Sequence, residues 1–171
     1  MKSPFHEHRL VALLILVEQY QKGDETAKTK TYKFYLTNMQ YINNWDLVDL
    51  SVYKIVGDYL YHHSQKQFLL NQLAVSSNLW ERRIAIIAAF TFIKNKNLTK
   101  TFKIASILVN DSHDLIHKAV GWILREAGKV DQKAEEKFCK STIKLCLELG
   151  CATPLKSLMT KNRSTTLGNK Y

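Results

Sequence analysis

A chain of 171 residues that is 46% hydrophobic can bury a core of its own, which excludes a disordered segment and predicts one folded domain. The longest early apolar run, Leu10–Val17, is too short to cross a bilayer and lacks the pattern of a signal peptide, so we expect a soluble cytoplasmic protein without membrane contact. The formal net charge of +10 favours a polyanionic partner, although half of it lies in residues 140–171, with six basic side chains and one acidic one.

The two prolines, the six glycines and a sustained 3.6-residue apolar periodicity predict an all-α fold. Short polar connections, such as residues 22–24 and 94–97, separate the helical segments and arrange them in pairs. In chain order, the predicted helices are His6–Tyr20, Glu25–Thr37, Trp45–Tyr59, Gln65–Val75, Trp80–Lys94, Thr99–Val109, His113–Ala127 and Gln132–Cys139.

The helix pairs resemble one another. A polar residue precedes an apolar helical run at Arg9, Asp49, Arg83 and Lys118, with separations of 40, 34 and 35 residues. These separations are near the period of HEAT and armadillo repeats, so the pattern predicts a HEAT-like α-α solenoid of about four helix pairs. Equivalent positions of successive repeats line one surface, where the three cations could contact backbone phosphates and Asp49 could face another part of the ligand.

The stretch Ile42–Asp49 is the best candidate for chemistry. Asn43 or Asn44 can cap a helix, and the apolar residues that follow supply its buried face. Trp45, Asp49 and Tyr53 are spaced four residues apart, which places two rings and a carboxylate on one helix face. Asp46, in the first turn, suits the positive end of the helix dipole and is interpreted as structural.

Three ordered motifs carry a family resemblance: Ile42-Asn-Asn-Trp-Asp-Leu-Val-Asp49, Trp80-Glu-Arg-Arg-Ile-Ala-Ile86 and the segment Asp114–Lys129. Across residues 4–138 the chain resembles the bacterial DNA alkylation repair family of AlkD type. The resemblance implies a HEAT-like solenoid that holds double-stranded DNA on its concave face. It also implies hydrolysis of the N-glycosidic bond of cationic alkylated purines, chiefly 7-alkylguanine and 3-alkyladenine, without extrusion of the base from the stack.

Carried over by motif, Asp49, Trp45 and Trp122 are the expected catalytic residues, and Arg83 is the expected groove arginine. The repeat register adds Lys118 and Arg9 as DNA-binding residues, and it leaves Arg82 pointing away. A carboxylate near the deoxyribose would stabilise its developing positive charge by about 3–4 kcal/mol. The tryptophan faces would contribute about 0.5–2 kcal/mol towards the cationic nucleotide. We expect a monomer that needs no cofactor.

The chain departs from the family pattern at both ends. The family helices that precede His6 are missing, so we expect an N-terminally truncated repeat domain over residues 1–139. The family continues with Met-Pro-Arg-Thr and Leu-Arg-Tyr-Ala-Ile-Glu-Lys-Phe, whereas residues 145–158 read otherwise. One set of codons for this segment yields the family helix when shifted by two bases, which predicts a frameshifted tail over residues 140–171.

The cysteines and histidines show no ligand pattern. Cys139, Cys146 and Cys151 lack the spacing of a zinc site or a disulfide framework, so we interpret them as free thiols. His113 and His117 share a helix face, but no further ligand converges on them, and we expect no metal site.

Structural alternatives stay open at this point. Trp45 and Trp122 could simply fill gaps between helices, and Asp49 could be a capping or solvated carboxylate. Arg125 and Glu126 could form an ion pair within the protein, and residues 94–100 could be a solvated loop. The functional alternatives to a glycosylase are a non-catalytic helical-repeat module that binds DNA or protein, and an inactive truncated remnant.

Overall fold

A computed structural model describes residues 1–148, with side chains described to Thr142, and this part of the chain contains no β-strand. The prediction of an all-α helical-repeat fold is confirmed; its assignment to the HEAT type stays a prediction. The α-helices are α1 (His6–Lys22), α2 (Glu25–Thr37), α3 (Trp45–Val52), α4 (Asp58–His62), α5 (Phe68–Ala74), α6 (Leu79–Lys94), α7 (Leu98–Leu108), α8 (Asp114–Val130) and α9 (Gln132–Glu148). Residues Tyr53–Gly57 form a π-helical segment that joins α3 to α4, and 3₁₀ turns span Met39–Tyr41 and Ser64–Lys66.

The helices α1, α3, α6 and α8 lie side by side, and we call them the parallel row. Helix α1 contacts α3, α3 contacts α6, and α6 contacts α8. Contacts between neighbours advance together along both helices, which shows that the members run in the same direction. Between α1 and the continuous segment α3–α4, the contacts are His6–Asp46 and Tyr20–Asp58. Between that segment and α6 they are Asp49–Arg83 and Tyr53–Thr91, and between α6 and α8 they are Arg83–Leu115 and Phe90–Trp122.

Helix α6 is the centre of the core. It packs against α3, α5, α7 and α8, and its side chains from Arg83 to Ala89 are all buried. A helix that is apolar on every side belongs inside a fold, which is the position that α6 takes. Full burial of an isoleucine such as Ile86 contributes about 1.5–3 kcal/mol, so the buried side chains of α6 stabilise its packing against its two neighbours in the row, α3 and α8.

Several helix boundaries differ from the predictions. Helix α1 ends at Lys22 rather than Tyr20, and α8 ends at Val130 rather than Ala127. Helix α9 continues past the predicted end at Cys139 as far as Glu148. No proline or glycine occurs between Gln132 and Leu149, so nothing in the local sequence stops the helix at the earlier position. The predicted segment Gln65–Val75 is shorter as an α-helix because its first turn is 3₁₀.

The predicted single helix Trp45–Tyr59 is interrupted by the π-helical segment, for which Gly57 gives a physical reason. A Cβ atom on Gly57 would lie 2.5 Å from Thr91 Oγ1 and 2.6 Å from the Ala88 carbonyl oxygen, so only glycine permits this approach to α6. The Thr91 hydroxyl donates a hydrogen bond of 2.5 Å to the Tyr53 carbonyl, which also accepts from the Asp58 N–H. The Tyr53 carbonyl is therefore hydrogen-bonded despite the altered backbone ladder.

The predicted tail falls mostly outside the described residues. Cys151 and the shifted segment beyond Glu148 are not described, and neither is the Cys146 side chain. Cys139 is a buried free thiol, as predicted. The boundary at residue 139 stays a prediction, although α9 crosses it without a break. No helix within residues 1–148 is long and apolar enough to span a membrane.

Candidate functional site

Asp49 and Arg83 form a two-pronged ion pair between α3 and α6. The Arg83 Nε donates to Asp49 Oδ1 at 3.0 Å, and its NH2 donates to Asp49 Oδ2 at 2.7 Å. The Arg83 side chain is 7% exposed, whereas the Asp49 side chain is 31% exposed. The carboxylate thus faces solvent with its charge-assisted bonds behind it, and its remaining lone pairs are open to a ligand or a water molecule.

A third helix completes the support of Arg83. Its NH1 donates a 2.6 Å hydrogen bond to the Leu115 carbonyl at the start of α8. The guanidinium is therefore bonded to α3 and α8 while its backbone belongs to α6. The neighbouring Arg82 points elsewhere, as expected, because its Nε and NH2 bond both oxygens of Asp111.

The first turn of α3 is fixed by its own polar side chains. Of the two predicted capping residues, Asn44 is the N-cap, and its Oδ1 accepts from the Trp45 N–H at 2.8 Å. Asp46 accepts from the Leu47 N–H and lies 2.6 Å from His6 Nε2, which agrees with its interpretation as structural. His6 was not among the predicted site residues, although it precedes Asp46 by the same 40 residues that separate Arg9 from Asp49.

A buried hydroxyl pair supports the next turn. Ser51 Oγ donates to the Leu47 carbonyl at 2.6 Å and lies 2.9 Å from the Tyr35 hydroxyl. Burial, and then the nearby charge of Asp49, raises the pKa of Tyr35 well above its usual value, although the bond to Ser51 opposes the rise. Tyr35 therefore stays a neutral phenol, and no second charge competes for Arg83 from that side.

The three predicted aromatic residues have different environments. Trp45 is 54% exposed beside Asp49, so it does not fill a gap between helices. Trp122 is partly buried and packs its ring 4.9 Å from that of Phe90, which in turn meets the Tyr53 ring at 5.4 Å. We call Tyr53, Phe90 and Trp122 the aromatic strip. Phe90 was not among the predicted site residues. Its spacing of seven residues from Arg83 could have identified it, because that spacing places both side chains on the same side of α6.

Arg9 and Lys118, the two cations predicted from the repeat register, lie on α1 and α8. Lys118 is exposed and bonds Asp114 at 2.7 Å, a bond that lowers the pKa of Asp114. The Nε of Arg9 is buried without a hydrogen-bond partner among the described residues. The structure thus brings Asp49 and Arg83 into direct contact, whereas Lys118 is bonded within its own helix.

A polar cavity of about 580 Å³ lies further along the parallel row. Tyr53 and Lys54 line it from the π-helical segment, together with Asp58 of α4 and Lys94 of α6. Lys94 is the last residue of α6, as it is of the predicted helix Trp80–Lys94, and its Nζ lies 4.7 Å from the centre of the Tyr53 ring, a contact that the solvated-loop alternative for residues 94–100 did not include. A helical count from Arg83 would have placed it on the same face, three turns later.

Other polar pairs stay within the protein. Arg125 lies 3.9 Å from Glu126, whose carboxylate makes a shorter bond of 2.7 Å to Lys129. Within the described part of the chain, no three His, Cys, Asp or Glu side chains cluster in a way that could hold a metal ion.

The comparison with protein families gives one further finding. A family model described as DNA alkylation repair enzyme matches residues 1–158. The curated proteins compared with the chain include no match to it.

Proposed function

The chain belongs to the DNA alkylation repair enzyme family, and from this premise we propose that it is a DNA glycosylase. Its substrates would be cationic alkylated purines, 7-alkylguanine and 3-alkyladenine, in duplex DNA that lies across the parallel row. The observation that carries the proposal is the partly exposed carboxylate of Asp49, which accepts two hydrogen bonds from Arg83 and lies on the same helix as the exposed ring of Trp45.

In the proposed reaction, the bond between C1′ of the deoxyribose and the purine nitrogen breaks. The bonding electrons go to the cationic base, which leaves as a neutral molecule, and positive charge develops on the sugar. The Asp49 carboxylate stabilises that charge and orients the water that adds to C1′ and releases a proton. Preorganised groups of this kind contribute about 3–4 kcal/mol, or a few hundredfold in rate.

The contacts of Arg83 support a positioning role in place of the expected contact to DNA. Three of its N–H bonds are directed at Asp49 and the Leu115 carbonyl, and the side chain is 7% exposed, which leaves little of it for a phosphate. The exposed Lys118, together with Arg9 on α1, remains the proposed contact to the backbone of DNA. Trp45 would offer its open face to the cationic nucleotide, and Trp122 would act through the aromatic strip.

The test is the release of 7-methylguanine from alkylated duplex DNA by the wild-type chain, Asp49→Asn and Asp46→Asn. We expect Asp49→Asn to lose at least 100-fold in rate while it still binds duplex DNA. Asp46→Asn is the matched control, because it removes the same charge one turn earlier, where the partner is His6. Equal release by the wild type and Asp49→Asn would refute the role of Asp49.

One observation favours a second function, that of a non-catalytic DNA-binding module. Both oxygens of Asp49 already accept hydrogen bonds from the Arg83 guanidinium, whose positive charge offsets the field of the carboxylate. A wild-type chain that binds duplex DNA but releases no cationic base would support this function and contradict the glycosylase.

A further inference from the structure

The polar cavity is separate from the Asp49–Arg83 pair. It opens where the π-helical segment meets the ends of α1 and α6, and Lys94 lies 11 residues after Arg83, or about 16 Å along the helix. Its lining includes three lysines, Lys28 on α2, Lys54 on the π-helical segment and Lys94 on α6. Nothing in the proposed glycosidic chemistry uses these cations.

Aromatic rings hold the three ammonium groups in place. The Nζ atoms of Lys54 and Lys94 lie 5.5 and 4.7 Å from the centre of the Tyr53 ring, so they are within about 10 Å of each other. Lys94 also lies 4.9 Å from the Phe90 ring, and Lys28 lies 5.6 Å from the Tyr20 ring. Among residues 1–142, no acidic oxygen lies within 4.0 Å of these three groups.

Asp58 is the acidic residue of the cavity lining, and its carboxylate already accepts a hydrogen bond from Tyr20, another lining residue. Its Oδ2 accepts a 2.9 Å hydrogen bond from the Tyr20 hydroxyl, and its Oδ1 lies 3.8 Å from His62 Nε2. Burial, followed by the bond to Asp58, raises the pKa of Tyr20, so the phenol remains a donor at all ordinary pH values. Three lysines thus face the cavity against one carboxylate that is already hydrogen-bonded.

We propose that this cavity is a second phosphodiester subsite, in which Lys54, Lys94 and Lys28 hold the backbone of bound DNA. The choice of DNA as the ligand rests on the proposed function, whereas the location of the subsite rests on the cavity. The Lys54 and Lys94 ammonium groups are at most about 10 Å apart, so they can contact phosphates of one strand, whose separation exceeds the axial rise of about 3.4 Å because the backbone also turns about the helix axis. The subsite would fix the register of DNA on the parallel row and leave the lesion at Asp49.

The experiment measures the salt dependence of binding to an undamaged fluorescent duplex, so it requires no base release. Each lost phosphate contact should reduce the slope of log K against log salt by about 0.9. We expect Lys54→Ala/Lys94→Ala to reduce the slope by about 1.8. The ratio of the wild-type to the variant binding constant should then be about 60-fold larger at about 0.1 M salt than at about 1 M salt. Lys30→Ala/Lys33→Ala is the matched control, because it removes two exposed lysines of α2 outside the cavity.

Asp58→Asn provides a test in the opposite direction. It keeps the size of the side chain and removes the acidic charge of the lining, so we expect tighter binding than wild type. An unchanged slope for Lys54→Ala/Lys94→Ala, or a change equal to that of the α2 control, would overturn the proposal. A second measurement compares the Tm in 10 mM inorganic phosphate with the Tm in sodium chloride of equal ionic strength. The proposal would also be overturned if phosphate raised the Tm of the wild type but not of the lysine variant, while the two proteins had the same salt dependence of DNA binding.

The failures of the two proposals are distinguishable. A wild type that releases no base but shows the expected changes in slope would retain the phosphodiester subsite and lose the glycosylase. A wild type that releases base while the lysine variant binds like the control would retain the glycosylase and lose the subsite.

Discussion

The Asp49–Arg83 pair predicts an asymmetric response to the removal of its two partners. Asp49→Ala leaves the guanidinium of Arg83 buried at 7% exposure with only the Leu115 carbonyl as a partner. Arg83→Met removes the buried charge, fills its space with an apolar chain, and leaves a carboxylate that is 31% exposed to water. We therefore expect Asp49→Ala to destabilise the fold more than Arg83→Met does.

The expected magnitudes follow from these exposures. Loss of one partner of a buried ion pair costs about 3–5 kcal/mol, and the lower end applies to Asp49→Ala because the bond to Leu115 remains. Arg83→Met loses that neutral-acceptor bond, about 1 kcal/mol, and little more, since water can solvate Asp49. At about 2–4 °C per kcal/mol, the expected decreases in Tm are about 6–12 °C and about 2–4 °C.

Urea unfolding at pH 7, followed by circular dichroism, measures both variants and the double variant. The double-mutant cycle should give a coupling free energy of about 2 kcal/mol. The same cycle on the exposed pair of Asp114 and Lys118 is the control and should give a much smaller coupling free energy, because water screens this pair. Equal coupling in the two cycles, or a larger loss for Arg83→Met than for Asp49→Ala, would refute the reasoning.

Three further predictions concern other parts of the fold. Gly57→Ala should cost about 1–3 kcal/mol in urea unfolding because its Cβ would overlap α6, whereas Gly128→Ala meets side-chain atoms no closer than 3.5 Å and should cost nothing. Burial, and then the charge of Tyr59, raises the pKa of Tyr32 to about 12, so the contribution of Tyr32 to the free energy of unfolding should be intact below pH 10 and fall as the pH rises from 10 to 12, by up to about 1.4 kcal/mol per pH unit, in addition to the contributions of Tyr20 and Tyr35. Tyr32→Phe should flatten that slope, and an unchanged slope would contradict the assignment. Burial, and then the bond to Glu135, raises the pKa of Cys139 to about 12, so in a chain without the other two cysteines its alkylation should be at least 100-fold slower in the native state than in urea. Comparable rates in the two states would contradict its burial.

The contact between Asp49 and Arg83 could be predicted from the sequence because it follows from the repeat register. Two helices that run in the same direction and pack side by side keep equivalent positions together, so a spacing of 34 residues was enough to choose Arg83 over Arg82. The helix pairs could also be predicted from the sequence, since their periodicity and polar connections are local properties of the chain.

The rest depended on packing between distant segments. The π-helical segment exists because Gly57 approaches α6, and no local pattern around residue 57 shows that contact. Trp45 and Trp122 look alike in sequence, yet one is open to solvent and the other packs on Phe90. Lys94 reads as the edge of a polar loop until α6 and the π-helical segment are brought together.

Arg83 belongs to α6 and bonds residues of α3 and α8. The lengths of its hydrogen bonds therefore depend on the spacing between these three helices. Any flexing of the array that separates α3 from α8 must lengthen a bond to Asp49 or to the Leu115 carbonyl. The position of the carboxylate is thus tied to the relative positions of α3, α6 and α8. If binding of a duplex moved these helices relative to one another, it would also move the Asp49 carboxylate, so DNA binding and the proposed chemistry would be coupled through Arg83.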